Sequence, residues 1–159
     1  MINVLETISY PQDIDNNNRY QAIVAVSSAA AKLTIQQPAV NASASGGPKR
    51  VVFEYAVIIS NGAAATFTIY QNSTGPATAT AGAAVPLNHS QPANANVFTA
   101  SNITTADAAY TSQVFAAAAG TTVVDLSKFY LGPNIGVNEN LTIETASMSG
   151  SVMIQWIER

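Results

Sequence analysis

The amino-acid sequence points to an all-β protein: an antiparallel β-sandwich, jelly-roll-like, preceded by an extended N-terminal arm. Three observations carry that expectation. Charged residues are 9% of the 159, far below the usual quarter, so there is little Lys and Glu from which to build amphipathic surface helices. Thr, Ser, Asn, Val and Ile are plentiful, and these suit strands and turns. Short alternating apolar segments recur between Gly, Pro and Asn clusters, giving roughly eight to ten strands at the spacing of a sandwich or barrel. A chain of this length fits one domain with one sizeable core, here 19–159, with 1–18 as the arm.

The arm is Met1 to Asn18. Ile2, Val4 and Ile8 alternate with polar residues, and Tyr10-Pro11 and the run Asn16-Asn17-Asn18 then break any regular element. Tyr20 to Val26 reads as the first body strand. Ala29 to Ile35 either pairs with it or makes one helical turn first, and Pro38 ends the unit. Asn41 to Pro48 is a loop tip. Arg50 to Ile59 is the longest strongly apolar strand, with Val52, Glu54 and Ala56 on one face and Val51, Phe53, Tyr55 and Val57 on the other. Asn61-Gly62 is a hairpin signal, because both residues tolerate positive φ. Thr66 to Tyr70 is expected to return as the partner strand, with Phe67 and Ile69 inward.

Gln71 to Asn96 is a long Pro, Gly, Thr, Asn and Ala segment with one apolar island at Ala83 to Leu87, and a loop of that length is usually functional or disordered. Val97 to Thr105, Tyr110 to Ala116 and Thr121 to Leu131 are further strands, and Gly132-Pro133-Asn134 is a turn. Asn140 to Arg159 reads as a two-stranded antiparallel hairpin around Ser147 to Gly150, its second strand carrying Val152, Ile154 and the only tryptophan, Trp156. That last strand is expected to be central and to close the core, with Trp156 between the sheets.

Six basic and nine acidic residues give a formal net charge of −3, which disfavours nucleic acid because affinity there depends on neutralising several phosphates. There is no cysteine, hence no disulfide or thiolate metal site. No basic, apolar, small-residue leader and no apolar run near 18 residues is visible, so a soluble chain beginning at Met1, without membrane contact, is expected. Asp13, Asp15 and Asn17 imitate the start of a calcium loop, but Asn18 and Val24 stand where such a loop needs Gly and an acid. The single histidine, His89, sits among Asn88, Ser90 and Gln91 and reads as a solvated loop residue rather than a general base; a triad or a His-based metal cluster would have to be built around that one ring. The acids Glu54, Asp107, Asp125, Glu139, Glu144 and Glu158 are scattered, and nothing favours a catalytic pair among them. No catalytic residue, metal or cofactor is expected.

Three segments in order carry a family resemblance. Ala64 to Asn72 leads through a Thr/Gly/Pro-rich turn to Gly82-Ala83-Ala84-Val85-Pro86-Leu87-Asn88; Phe129-Tyr130-Leu131-Gly132-Pro133-Asn134 follows; and the last strand ends in Trp156-Ile157-Glu158. This pattern, across Val51 to Arg159, resembles the β-sandwich decoration or cement proteins of tailed-bacteriophage capsids. Where such relatives often have an arginine after the Pro-x-Asn element, this chain has His89 and Gln91.

The resemblance implies a non-enzymatic protein on the capsid exterior of a virion, often a homotrimer, whose partner is the major capsid protein. Low charge and a long loop are compatible with that role and equally with a sparsely charged sandwich. The contact residues expected from the arm are Ile2, Val4, Ile8 and Tyr10, since an extended segment gains most by adding to a neighbouring sheet edge. Those expected from the loop are Leu87, Asn88 and His89. The alternative is a tail-fibre or baseplate module that binds host glycans through an aromatic such as Tyr70 or Tyr110.

Overall fold

A computed structural model describes residues 18–26, 31–38, 50–62, 64–73, 80–87, 92–99, 113–117, 119–132, 139–146 and 148–159. The arm residues Ile2, Val4, Ile8 and Tyr10, the calcium-like Asp13, Asp15 and Asn17, and the loop residues Asn88 and His89 lie outside the described residues; Asn18 belongs to the first body strand. The strands are β1 (Asn18–Val26), β2 (Ala31–Gln37), β3 (Val51–Ser60), β4 (Ala65–Gln71), β5 (Thr80–Ala81), β6 (Val85–Pro86), β7 (Asn96–Thr99), β8 (Gln113–Ala117), β9 (Gly120–Asp125), β10 (Tyr130–Leu131), β11 (Glu139–Ala146) and β12 (Gly150–Glu158).

They form two antiparallel sheets. The first runs β10-β3-β12-β1-β6, with β9 also paired to β3, and the second runs β5-β7-β2-β11-β4-β8. The eight longest strands are β1, β2, β3, β4, β8, β9, β11 and β12. Counted one to eight, they lie in the order 1-8-3-6 in one sheet and 2-7-4-5 in the other, which is the jelly-roll arrangement. The short strands β5, β6 and β7 come from the segment between β4 and β8 and extend the two sheets on one side.

This topology corrects two pairings expected from the sequence and decides against a third that was one of two alternatives. β11 and β12 do not pair with each other: β11 lies between β2 and β4, and β12 between β1 and β3. β3 and β4 likewise lie in opposite sheets, as do β1 and β2. Each expected hairpin is instead an arch crossing from sheet to sheet. Alternation of apolar residues assigns a side chain to the core or to the outside, and a strand that faces its successor across the core shows the same alternation as one beside it. Two arches meet where the Asn61 N–H donates to the Ser149 carbonyl at 2.8 Å. Glycine is required there: Gly62 has φ +92°, and a Cβ on Gly150, at φ +149°, would run into the Ile59 carbonyl.

A β-bulge corrects the facing of β3. Its register on β12 moves from Tyr55↔Gln155 to Phe53↔Trp156, so Glu54 is the extra residue. Val51 and Phe53 therefore face the core on one side of the bulge, and Ala56 and Ile58 on the other; Tyr55 and Val57 turn outward. Thr121 to Leu131 is broken as well, because the Asp125 carboxylate accepts the Ser127 N–H at 2.8 Å and the Phe129 N–H donates to the Leu126 carbonyl, making a turn between β9 and β10.

β12 is central in its sheet and Trp156 is fully buried, as the sequence indicates. Its ring stacks on Tyr20, the centroids 5.8 Å apart, and packs with Phe53, Ile154, Phe67, Ile69 and Leu141 in one core cluster. The polar ends are matched. The Trp156 indole donates to the buried Glu158 carboxylate at 3.3 Å, which also accepts the N–H groups of Asn94 and Ala95 at 2.8 and 2.9 Å. The Tyr20 hydroxyl donates to the Pro92 carbonyl at 3.1 Å. The segment entering β7 is thus pinned to the end of the last strand.

Candidate protein-docking face

Four neighbouring strands of the first sheet, β1, β12, β3 and β9, turn a second row of side chains away from the core. The register sets Ile23 beside Met153, Met153 beside Val57, and Val57 beside Val123. These are β-branched or flexible apolar residues that favour the strand locally, yet this face has solvent over it. Ile23 is 59% exposed and Val123 66%. Ile59, in the adjoining row with Ala25, Ser151 and Thr121, is 40% exposed. With strands about 4.8 Å apart, the row spans about 14 Å.

A polar rail borders it. In the row Gln21, Gln155, Tyr55 and Asp125, the Tyr55 hydroxyl donates to Gln155 Oε1 at 2.7 Å and Gln155 Nε2 donates to Glu54 Oε2 at 2.6 Å. Arg19 closes the chain with an ion pair to Glu54 at 3.0 Å. The bulge makes this possible by presenting Glu54 beside Arg19. At the far end, hydrogen bonds from the Ser127 side chain and backbone hold the Asp125 carboxyl below its usual range. Hydrogen bonds fix the side chains of Tyr55, Gln155, Glu54 and Asp125, so little of their rotamer entropy remains to be lost if a partner covers the face.

Of the expected contact residues, Leu87 is described. It follows β6 on the β1 edge of the first sheet, its N–H donates to the Arg19 carbonyl at 2.9 Å, and it is 42% exposed. Tyr70 lies on the outward face of the second sheet beside Thr142 and is half-buried; Tyr110 lies outside the described residues. The apolar row itself was missed. Its signal was present in Arg50 to Ile59, which is apolar on both faces although a sandwich strand needs only one.

The arrangement offers van der Waals and apolar contact and no bond-making chemistry. Among the described residues no group of three His, Cys, Asp or Glu side chains could hold a metal ion, and no helix is long and apolar enough to cross a membrane. Compared with known protein families, curated proteins and solved structures, the chain matches none.

Proposed function

We propose that this chain is a structural protein that docks the outward face of its first sheet on other protein surfaces. The observation that carries this reading is the row Ile23, Met153, Val57 and Val123, apolar and open to solvent at both ends. Fully burying a Val or Ile contributes about 1.5–3 kcal/mol relative to leaving it exposed, so covering Ile23, Ile59 and Val123 supplies a few kcal/mol. A standard interface buries about 800 Å² per partner, and the polar rail and the Leu87 edge are placed to form its rim. The sequence resemblance to capsid decoration proteins is what supports the proposed assembly: the outer surface of a phage capsid, where the protein would reinforce contacts between major capsid subunits as a homotrimer.

The test is attachment. The purified chain, added to shells assembled from the major shell protein encoded alongside it, should co-sediment with them, and an Ile23→Lys/Val123→Lys variant of unchanged circular dichroism should stay in the supernatant. Equal attachment by the variant would remove the docking face from the reading. A gene neighbourhood without any shell protein would remove the capsid.

A further inference from the structure

The first sheet ends at β9, and the edge there is open. Among the described residues β3 is the one strand that pairs with β9. Two hydrogen bonds fix which backbone groups are left over. The Leu126 N–H donates to the Glu54 carbonyl at 3.0 Å on the β9 side of β3, and the Asn61 N–H donates to the Ser149 carbonyl at 2.8 Å on the β12 side. In an antiparallel ladder the N–H and C=O of one residue point the same way, and successive residues alternate. Ala56, Ile58 and Ser60 therefore bond to β9, and Val57 and Ile59 to β12. Opposite Tyr55, Val57 and Ile59 stand Asp125, Val123 and Thr121, so these three turn both backbone groups toward the open edge. The side chains of all three are exposed. We infer that β9 pairs with β9 of a second copy of this chain about a two-fold axis at Val123, joining the two first sheets into one.

The edge selects its occupant. An unpaired ladder is completed by another extended strand, and β9 carries none of the devices that keep edges apart: no Pro, Lys or bulge occurs between Gly120 and Asp125. Thr121, Thr122, Val123 and Val124 are all β-branched, which suits a strand. A two-fold axis normal to the sheet sets the copies antiparallel, the relation of every neighbouring pair in this sheet, and makes the contact self-complementary. With Val123 opposite the partner's Val123, Thr121 falls opposite the partner's Asp125, and each outward N–H and C=O meets a partner. An axis at Thr122 would instead set Asp125 against Ala119, outside the strand.

Side chains fit the same register. Valine meets valine at the axis, a favourable cross-strand pair. The Thr121 hydroxyl stands beside the partner's Asp125 carboxylate and can donate to it; Asp125 accepts the Ser127 N–H and keeps further lone pairs. The two Asp125 carboxylates are about 13 Å apart along the strands, so like charges do not meet. The row Ile23, Met153, Val57 and Val123 runs on into its copy as one apolar line about 34 Å long. The opposite edge of the sheet is not equivalent, because β6 pairs with Tyr20 and Gln21 and the Leu87 N–H donates to the Arg19 carbonyl, covering β1 over its first half.

This inference deepens the docking reading and extends its row, while the pairing itself rests on the β9 edge alone. It uses one edge per chain, so it joins two free protomers or protomers of two trimers.

The test is a disulfide trap in the full chain, which has no cysteine of its own. Hydrogen-bonded antiparallel neighbours have Cα atoms about 5.5 Å apart, inside the disulfide range of about 4.4–6.8 Å. Under mild oxidation Val123→Cys should run as a covalent pair on non-reducing electrophoresis, while Ile23→Cys, of similar exposure, should remain single chains. Thr121→Cys and Asp125→Cys should stay single when oxidised separately and cross-link when mixed, which fixes the register. Val123→Pro removes only an outward N–H and keeps the bonds to β3, so it should halve the parent's mass in light scattering with circular dichroism unchanged. If Val123→Pro fails to fold, the cysteine variants decide alone. Trapping of Ile23→Cys as fast as Val123→Cys, cross-linking of Thr121→Cys by itself as readily as the mixture, or an unchanged mass for folded Val123→Pro would overturn the pairing. A chain that is trapped through Val123→Cys yet leaves shells unbound would uphold the pairing and remove shell docking.

Discussion

The outward faces of the two sheets invert each other. On the second sheet, Thr34, Gln36, Asn140 and Thr142 point away from the core and yet are buried; the Thr34 and Thr142 hydroxyls share a hydrogen bond of 2.7 Å and the Asn140 amide holds Ser73. Lys32 and Glu144 add an ion pair at 3.9 Å in the next row. On the first sheet Ile23, Val123 and Ile59 point away from the core and are open to solvent. A freestanding antiparallel sheet shows polar residues to water on its outer face. Shielding on one side has therefore been met with hydrogen bonds, and exposure on the other with apolar surface, which is the pattern of a face that completes itself in another molecule.

Both faces rest on one core, so the largest effect is expected where neither has precedence. Trp156→Ala removes the largest fully buried side chain, its stack on Tyr20 and one donor to Glu158. The cost should be about 3–5 kcal/mol in denaturant unfolding. A loss below 1 kcal/mol would mean that the two sheets are held mainly by something other than their shared interior.

On the second sheet, Thr142→Val keeps the side-chain shape and leaves the Thr34 hydroxyl buried without its partner. Stability should fall by about 1–3 kcal/mol. Adding Thr34→Val should recover most of the loss, because removing both partners of a buried hydrogen bond is close to neutral. A single variant as stable as the parent would show that water reaches this face.

Much of this contrast was hidden in the sequence for a definite reason. Alternation located the strands and placed Trp156, Phe67 and Ile69 inside, because facing the core depends only on residue parity along a strand. It was silent on which strand lies beside which, and so Asn61-Gly62 and Ser147 to Gly150, equally suited to an arch, read as hairpins. Parity also fails at a bulge, and Glu54 in β3 carries no local mark that it is the extra residue. The docking row combines residues from β1, β12, β3 and β9, distant in sequence, and only pairing assembles them.

Tyr20 shares strand β1 with Ile23 but faces the interior, and pH separates the two. Burial, and then the Glu158 carboxylate, raise the Tyr20 pKa above its usual value. An unfolded tyrosine ionises near pH 10. Above that pH the unfolded chain gives up this proton more readily than the folded one, so stability should fall as pH rises from about 10 through the folded pKa, with no contribution from this group at lower pH. Unfolding of the parent and of Tyr20→Phe between pH 8 and 11 checks this: the variant, lacking the phenol, should have the shallower slope.

The smallest effect on folding is expected on the first sheet's outward face, and that smallness is what distinguishes a docking surface from a second core. Ile23→Thr and Val123→Thr keep β-branching, which suits a strand, and replace apolar surface that the isolated chain leaves in water. Neither removes a buried hydrogen bond or opens a cavity, so each should change stability by no more than about 0.5 kcal/mol. The same substitutions should weaken association, because the apolar area a partner would cover is gone. Light scattering after size exclusion gives the readout: the parent should show a mass above one protomer at tens of micromolar, and the double variant a monomer. If instead the double variant unfolds more easily by as much as Thr142→Val does, the row is shielded in the free chain, and the two outward faces differ in composition alone.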